Sequence, residues 1–147
     1  MSFIHNLPLE GRGDADHVAV GPAGAVVIET KYLAGRIVCQ HDGGWRQLKR
    51  DEVRQIADPA AQVQRAADGM AYILGRRRLP DVPVYAVLAM AHPRVELDVA
   101  RSPVLVVRPF ELVPRLQQLA RDQRRLEAAG VTAAANALLG DGAPSPK

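Results

Sequence analysis

The stretch GDADHVAVGPAGAVVIETK, residues 13–31, decides the fold that the chain is expected to adopt. It contains two valine-rich segments, Ala15–Val20 and Ala25–Glu29, each bounded by glycine, as is typical of β-strands. The GPAG sequence between them, residues 21–24, suits a tight turn, because proline fits the first central position and Gly24 tolerates a positive φ. The stretch is therefore predicted to form a β-hairpin.

Carboxylates at the open end of this hairpin are the feature that points to chemistry. Side chains alternate along a strand, and a pairing of Gly21 with Gly24 places Asp16 directly opposite Glu29. Opposed side chains have Cβ atoms about 4.5–5.5 Å apart, and two carboxylates at that distance repel each other. A shared proton or a divalent cation must offset this repulsion. A bulge at Gly24 would instead place Asp16 opposite Thr30.

Lys31 lies on the same strand face as Glu29, two residues further on. Its ammonium group is placed to orient a metal-bound water or to stabilise charge that develops on a phosphate. Asp14 shares the face of Asp16 and is a secondary candidate. The alternative interpretation is structural: Asp14 and Asp16 are solvated residues at a strand start, and Glu29 and Lys31 form a surface ion pair.

Further strands are predicted on both sides of the hairpin. Phe3–Leu7 reads as an edge or entry strand, and Arg36–Gln40 as a strand that an HDGG turn separates from WRQL. Together with the hairpin, these strands are predicted to form one antiparallel meander. The nearly continuous apolar runs Val82–Met90 and Pro103–Val107 suit strands that are covered on both faces.

Helical signals follow the meander. Asp58 is a good N-cap, and Pro59 is a favoured first residue, for a helix that ends near Gly75. Pro109–Leu119 and residues 123–139 also show helical spacing. The order of elements predicts an α/β fold with a mixed sheet, in a single domain over residues 1–139. Residues 140–147 are predicted to be a flexible tail.

Composition limits the class of protein. Hydrophobic residues make up 48% of the chain and charged residues 24%, so a folded core is expected. The aromatic content of 4% argues against a stacking platform for single-stranded nucleic acid, while the net charge of +3 is compatible with a nucleic acid partner. Cys39 is the single cysteine, which excludes an internal disulfide and a cysteine zinc cluster. No membrane-spanning segment and no secretory signal is recognised, so a cytoplasmic location is expected.

Three blocks of the sequence resemble the nuclease-related domain (NERD) family. The most specific is DHVAVGPAGAVVIETKYLAGRI, Asp16–Ile37. DPAAQVQRAADGMAYIL, Asp58–Leu74, resembles the helix that follows in that family, and VLVVRPFELVPRL, residues 104–116, resembles its last strand and helix. The resemblance covers most of the chain from Phe3 to about Leu119. It implies membership of the PD-(D/E)XK nuclease superfamily, with a restriction-endonuclease-like fold.

The resemblance also implies roles for individual residues. By position, Asp16 and Glu29 would be the acids that bind Mg²⁺ or Mn²⁺, and Lys31 would be the catalytic lysine. Thr30 would offer its backbone carbonyl to the metal. Gln62 would be an accessory polar residue at the edge of the active site; the alternative is an ordinary exposed helix glutamine.

Histidines are not predicted to take part in the site. His17 belongs to the family signature, but strand alternation points it away from Asp16, so a packed and hydrogen-bonded histidine is expected. His5, His41 and His92 show no ligand spacing and are expected to be structural or exposed.

The beginning of the chain departs from the family pattern. Members usually begin with a helix before the first strand, whereas only Met1 and Ser2 precede Phe3 here. The usual N-terminal helix is therefore expected to be lacking, which would leave one face of the sheet uncovered and favour a homodimer through that face. The alternative is a start that lies upstream.

Arginines are the candidates for contact with nucleic acid. Arg76, Arg77 and Arg78 form one cluster, and Arg124 belongs to a second, RDQRR. Either cluster is suited to clamp phosphates, and the alternative for each is a solvated helix end. Together, the residues and the family resemblance predict a metal-dependent nuclease that acts on nucleic acid, with DNA as the expected substrate. The alternative is a catalytically incomplete nuclease fold that binds nucleic acid or a protein partner.

Overall fold

The computed structural model describes residues 1–9 and 14–140. Its strands are β1 Ser2–Pro8, β2 Asp14–Gly21, β3 Gly24–Lys31, β4 Arg36–Cys39, β5 Trp45–Lys49, β6 Glu52–Ile56, β7 Val84–Met90, β8 Glu96–Asp98 and β9 Leu105–Val107. Its helices are α1 Pro59–Arg76, α2 Pro109–Asp122 and α3 Ala128–Leu139. Of the predicted tail, residues 141–147 lie outside the described residues, and the domain boundary stays a prediction.

The first sheet has the strand order β1-β2-β3-β7-β9. Strands β1, β2 and β3 form an antiparallel meander, and β7 and β9 are added in parallel. The second sheet has the order β6-β5-β4-β8, with β8 parallel to β4 and the other pairs antiparallel. The predicted α/β fold with a mixed sheet is confirmed.

The prediction that Arg36–Gln40 continues the first meander is wrong, because β4 belongs to the second sheet. Gly35, just before β4, has a φ of 81°, and a Cβ there would collide with the carbonyl oxygen of Leu48. The turn before β4 therefore requires glycine at this position, which lets the segment lie close to β5. Strand β6 was not predicted, since four of its five residues are exposed and give no alternating pattern.

Helices cover both faces of the first sheet. On one face Val18, Val27 and Leu88 belong to a core with side chains of α1 and α3, and this core also takes in Ile37 and Trp45 from the second sheet. On the other face, Leu116 of α2 packs with the buried side chains of the sheet, which are Ala19, Val26, Ile28, Val87, Ala89 and Val107. Strand β7 is thus covered on both faces, as predicted. Met1 and Phe3, at the β1 edge, are 55% and 49% exposed.

Helix α1 begins as the sequence predicts. Asp58 is the N-cap, and its Oδ1 accepts a hydrogen bond of 2.9 Å from the backbone N–H of Ala61. At the other end Arg78 has a φ of 66°, and the N–H of Leu79 donates to the carbonyl of Leu74 at 2.8 Å. This is a Schellman-type ending, in which the left-handed residue is usually glycine.

The direction of α1 follows from the topology. Because β7 is parallel to β3 and follows α1 closely in the chain, α1 runs antiparallel to both strands. Its N-terminus therefore lies at the carboxyl ends of β3 and β7, and its C-terminus lies at the opposite edge of the sheet. No helix in the described ranges, residues 1–9 and 14–140, is long and apolar enough to cross a membrane.

Candidate active site

The register of the β2–β3 hairpin is the one that opposes the two acids. Gly21 pairs with Gly24, and the ladder continues to the pair of His17 with Ile28. Asp16 and Glu29 are the next residues on their strands, so they face each other at the open end of the ladder. The bulged register, which would have placed Asp16 opposite Thr30, is not adopted.

Asp16 closes the ladder with its side chain. The backbone N–H of Thr30 donates to Oδ2 of Asp16 at 3.4 Å, where a backbone carbonyl of β2 would otherwise accept. Since the N–H and C=O of a strand residue point toward the same neighbouring strand, the Thr30 carbonyl is also directed toward Asp16. The Asp16 carboxylate and the Thr30 carbonyl, two oxygen groups that could hold a cation, are thus on the same side of β3.

Glu29 and Lys31 form an ion pair beside them. The Nζ atom of Lys31 lies 3.3 Å from Oε1 of Glu29, and the side chains are 30% and 23% exposed, respectively. The ion pair between Glu29 and Lys31, which the structural alternative predicted, is therefore present. It is half-buried, and it holds the lysine ammonium within contact distance of a carboxylate that faces Asp16.

These residues lie at the carboxyl ends of the parallel strands. Lys31 pairs with Met90, the last residue of β7, and its carbonyl accepts a hydrogen bond of 2.8 Å from the N–H of Ala91. Ligands of open α/β sheets bind outside the carboxyl ends of the strands. Gln62 is half-buried in the first turn of α1, at this same end of the sheet.

The oxygen donors fit a hard divalent cation. Within residues 1–9 and 14–140, no group of three or more His, Cys, Asp or Glu side chains converges on one point. Asp16 and Glu29, with the Thr30 carbonyl, would fill only part of an octahedral shell. Mg²⁺ and Mn²⁺ suit such a site, because Mg²⁺ keeps several waters when a protein binds it, whereas a structural zinc ion requires four protein ligands.

His17 forms a hydrogen bond, as expected, but its partner was not predicted. Its Nδ1 lies 2.6 Å from Nδ1 of His5, and the two rings meet edge to face with centroids 4.8 Å apart. The partners occupy paired positions on β1 and β2. The sequence signal for the contact is therefore the strand register, which places His5 beside His17. Asp14, the secondary candidate, pairs with Pro8 at the start of β2.

The predicted arginine clusters are not brought to this site. Arg76, Arg77 and Arg78 end α1, at the opposite edge of the sheet. Arg124 also lies away from the site, beside the β2–β3 turn, because the next two residues donate their backbone N–H groups to the carbonyl of Pro22 in that turn. That turn and Lys31 are separated by the length of β3, about 23 Å at the usual rise of a strand.

Geometry thus defines a mixed α/β domain whose opposed carboxylates and lysine meet at the carboxyl ends of parallel strands. Comparison with known families agrees with this class: the model of the nuclease-related domain matches residues 1–91, which is more than half of the chain. The chain therefore belongs to the nuclease-related domain family. The matched range includes Asp16, Glu29, Lys31 and Gln62. No curated protein and no solved structure matches the chain.

Proposed function

We propose that the protein is a metal-dependent nuclease that hydrolyses phosphodiester bonds in nucleic acid, with DNA as the expected substrate. The observation that carries the proposal is the convergence of Asp16, Glu29 and Lys31 in a chain of the nuclease-related domain family. Two acids and a lysine on one face of the β2–β3 hairpin would supply the ligands and the positive charge that phosphoryl chemistry requires.

Each site residue has a distinct task in this proposal. The carboxylates of Asp16 and Glu29 and the carbonyl of Thr30 would hold Mg²⁺ or Mn²⁺. The bound cation supplies an activated water and neutralises charge on the scissile phosphate. Lys31 orients the attacking water or donates a hydrogen bond to the phosphate oxygen on which charge develops. Gln62, at the edge of the site, positions the substrate by a polar contact.

Contacts away from the site, a homodimer and the cellular location are further parts of the proposal. Arg76, Arg77, Arg78 and Arg124 would contact a long nucleic acid only at a distance from the scissile bond. The expected homodimer through an uncovered face of the sheet would have to use what α1, α2 and α3 leave open, which includes the exposed Met1 and Phe3 beside the β1 edge. A cytoplasmic location is also part of the proposal.

Cleavage of plasmid and linear DNA tests the proposal. The purified protein is expected to cut with Mg²⁺ or Mn²⁺ and not with EDTA. Asp16→Ala and Glu29→Ala should each abolish cutting, whereas Glu127→Ala, at an exposed acid that makes no capping hydrogen bond, should not. Cleavage that persists in the two site variants would contradict the proposal. Salt-sensitive DNA binding without any metal-dependent cutting would instead establish the incomplete, non-catalytic module.

A further inference from the structure

A basic surface that differs from the two arginine clusters lies beside the candidate site. It is a groove of about 490 Å³ between the β3–β4 connection, the β5–β6 turn and the β7–β8 loop. We call it the basic groove, and its charged or titratable lining residues are Arg36, Lys49, Arg50, His92, Arg94 and Glu96. These residues come from three separated segments, so no cluster is visible in the sequence.

Cations dominate this groove, with four of them against the single acid Glu96. Arg36 forms an ion pair with Asp98 at 3.0 Å, but both side chains are about half exposed. The ion pair therefore contributes little to stability and opens readily. In the part of the chain that the structure describes, no carboxylate lies within ion-pair distance of Lys49, Arg50 or Arg94. Such a surface attracts a polyanion.

Backbone hydrogen bonds join the basic groove to the candidate site. The N–H of Ala91 donates to the Lys31 carbonyl at 2.8 Å, and the N–H of Glu96 donates to the Gly35 carbonyl at 2.9 Å. The β7–β8 loop is thereby tied to the chain on both sides of the β3–β4 connection. The groove and the strand end that carries Lys31 are therefore held next to each other.

An exposed aromatic pair stands at this junction. Tyr32, directly after Lys31, is 69% exposed, and its ring centroid lies 4.8 Å from that of His92. The Nδ1 atom of His92 accepts a hydrogen bond of 3.0 Å from the N–H of Arg94, so the ring proton is on Nε2, which can donate to a phosphate. The low aromatic content excludes a platform for many bases, but one such pair accommodates one base.

Arg50 occupies a position that the fold alone would assign to glycine. It is the first residue of the two-residue turn between β5 and β6, and its φ is 55°. Left-handed backbone costs an ordinary residue about 1 kcal/mol or more, and glycine or asparagine is favoured in such turns. A strained residue that carries a charge into a groove indicates a role in binding.

We propose that the basic groove binds the sugar–phosphate backbone of the nucleic acid next to the scissile bond, and that Tyr32 stacks on one base at the junction. The inference deepens the proposed nuclease function and rests on it for the position of the cut. Binding itself is measured separately from cleavage.

Fluorescence anisotropy with a labelled 20-nucleotide DNA strand, in EDTA and over a series of salt concentrations, tests the inference. The variant with Arg50→Gly and Arg94→Ser should bind about tenfold more weakly at low salt. The slope of log K against log salt should fall by about 1.4, which is about 0.7 for each lost contact to a single strand. Arg50→Gly relieves backbone strain, so a melting temperature at or above that of the wild type would show that binding is not lost through unfolding.

Two comparisons make the result decisive. Arg115→Ser removes an exposed arginine of α2 that belongs neither to the basic groove nor to the two arginine clusters, and it should leave the slope unchanged. Tyr32→Ala should weaken binding about tenfold, whereas Tyr32→Phe, which keeps the ring, should not. Equal losses in the groove variant and the α2 variant, or an unchanged slope in both, would overturn the inference.

Failure of the groove inference differs from failure of the proposed function. If the groove variants bind normally while the wild type still cuts DNA with Mg²⁺, the groove inference is wrong and the nuclease function stands. If the wild type binds through the groove but never cuts, the nuclease function is wrong and the groove stands as a binding surface.

Discussion

Asp16 and Glu29 face each other on neighbouring strands, and this arrangement costs stability. Opposed like charges on neighbouring strands destabilise a sheet by a few tenths of a kcal/mol up to about 1 kcal/mol. The N–H of Thr30 and the ammonium group of Lys31 offset part of this cost through their contacts with the two acids. The remaining cost is a reason to expect that the residues serve chemistry rather than folding.

Replacing one of the two acids with its amide should therefore stabilise the metal-free protein. Asp16→Asn keeps an acceptor for the Thr30 N–H but removes the repulsion, so we expect a gain of about 0.5 kcal/mol in the free energy of unfolding. Saturating Mg²⁺ should raise the melting temperature of the wild type and not that of the variant. Thermal unfolding with and without Mg²⁺ measures both effects, and an equal rise in the two proteins would contradict the account.

Cys39 gives a residue-scale prediction about pH. Burial raises the pKa of its thiol above the usual value of 9.0, and the carboxylates of Asp58 and Asp42 raise the pKa further, against an opposing effect of Arg101. A raised pKa favours the protonated thiol in the folded state. This contribution to stability is complete below the thiol pKa of the unfolded chain and is lost as pH rises through the folded pKa.

The free energy of unfolding should accordingly fall more steeply with pH in the wild type than in Cys39→Ala once the pH passes the usual thiol pKa of 9.0. Urea unfolding at several pH values provides the comparison. Parallel curves for the two proteins would show that the thiol is not responsible. Alkylation of Cys39 should also be slow until urea unfolds the chain, because the thiol is buried.

Among the elements, α1 is the one that positions Gln62 and covers the core. Its start is fixed by the Asp58 side chain, whose hydrogen bond to Ala61 satisfies one of the free N–H groups of the first turn. Asp58→Ala should cost about 1 kcal/mol of stability, whereas Asp58→Ser should restore most of it. Chemical denaturation distinguishes the two, and equal stability of the alanine and serine variants would argue against the cap.

Elements with strong local signals are the ones that the sequence predicts. The β2–β3 hairpin is recognised because valines fill both strands and glycines flank the turn, and the start of α1 because Asp58 precedes Pro59. Strand β6 has no such signal, since Val53 is 61% exposed and its neighbours are polar. It forms because β5 pairs with it, which is a tertiary effect that propensity does not report.

At the scale of the whole molecule, topology separates the arginine cluster at the end of α1 from the basic groove. The parallel pairing of β3 with β7 directs the end of α1, with Arg76 to Arg78, away from Lys31. The same topology brings the β7–β8 loop to Lys31 and completes the basic groove. A cluster that is contiguous in sequence is therefore distant from the site, while residues scattered over three segments lie beside it.

This contrast explains how much of the site the sequence could predict. Asp16, Glu29, Thr30 and Lys31 lie on one hairpin, so the hairpin register alone brings them together. The basic groove depends on how two sheets meet, which no local pattern encodes. Its residues, among them Arg50 and Arg94, could not be found before the fold was known.

The central claim is that Asp16 and Glu29 act as one metal-dependent site, and a double-mutant cycle on the initial rate of plasmid cleavage in Mg²⁺ tests it most directly. Residues that act as a unit give strongly non-additive losses. We expect Asp16→Asn and Glu29→Gln each to lower the rate by about 100-fold or more, as removal of a single catalytic stabilising group does, and the double variant to be little slower than either. Single variants that retain cleavage, or losses that multiply in the double variant, would contradict the claim.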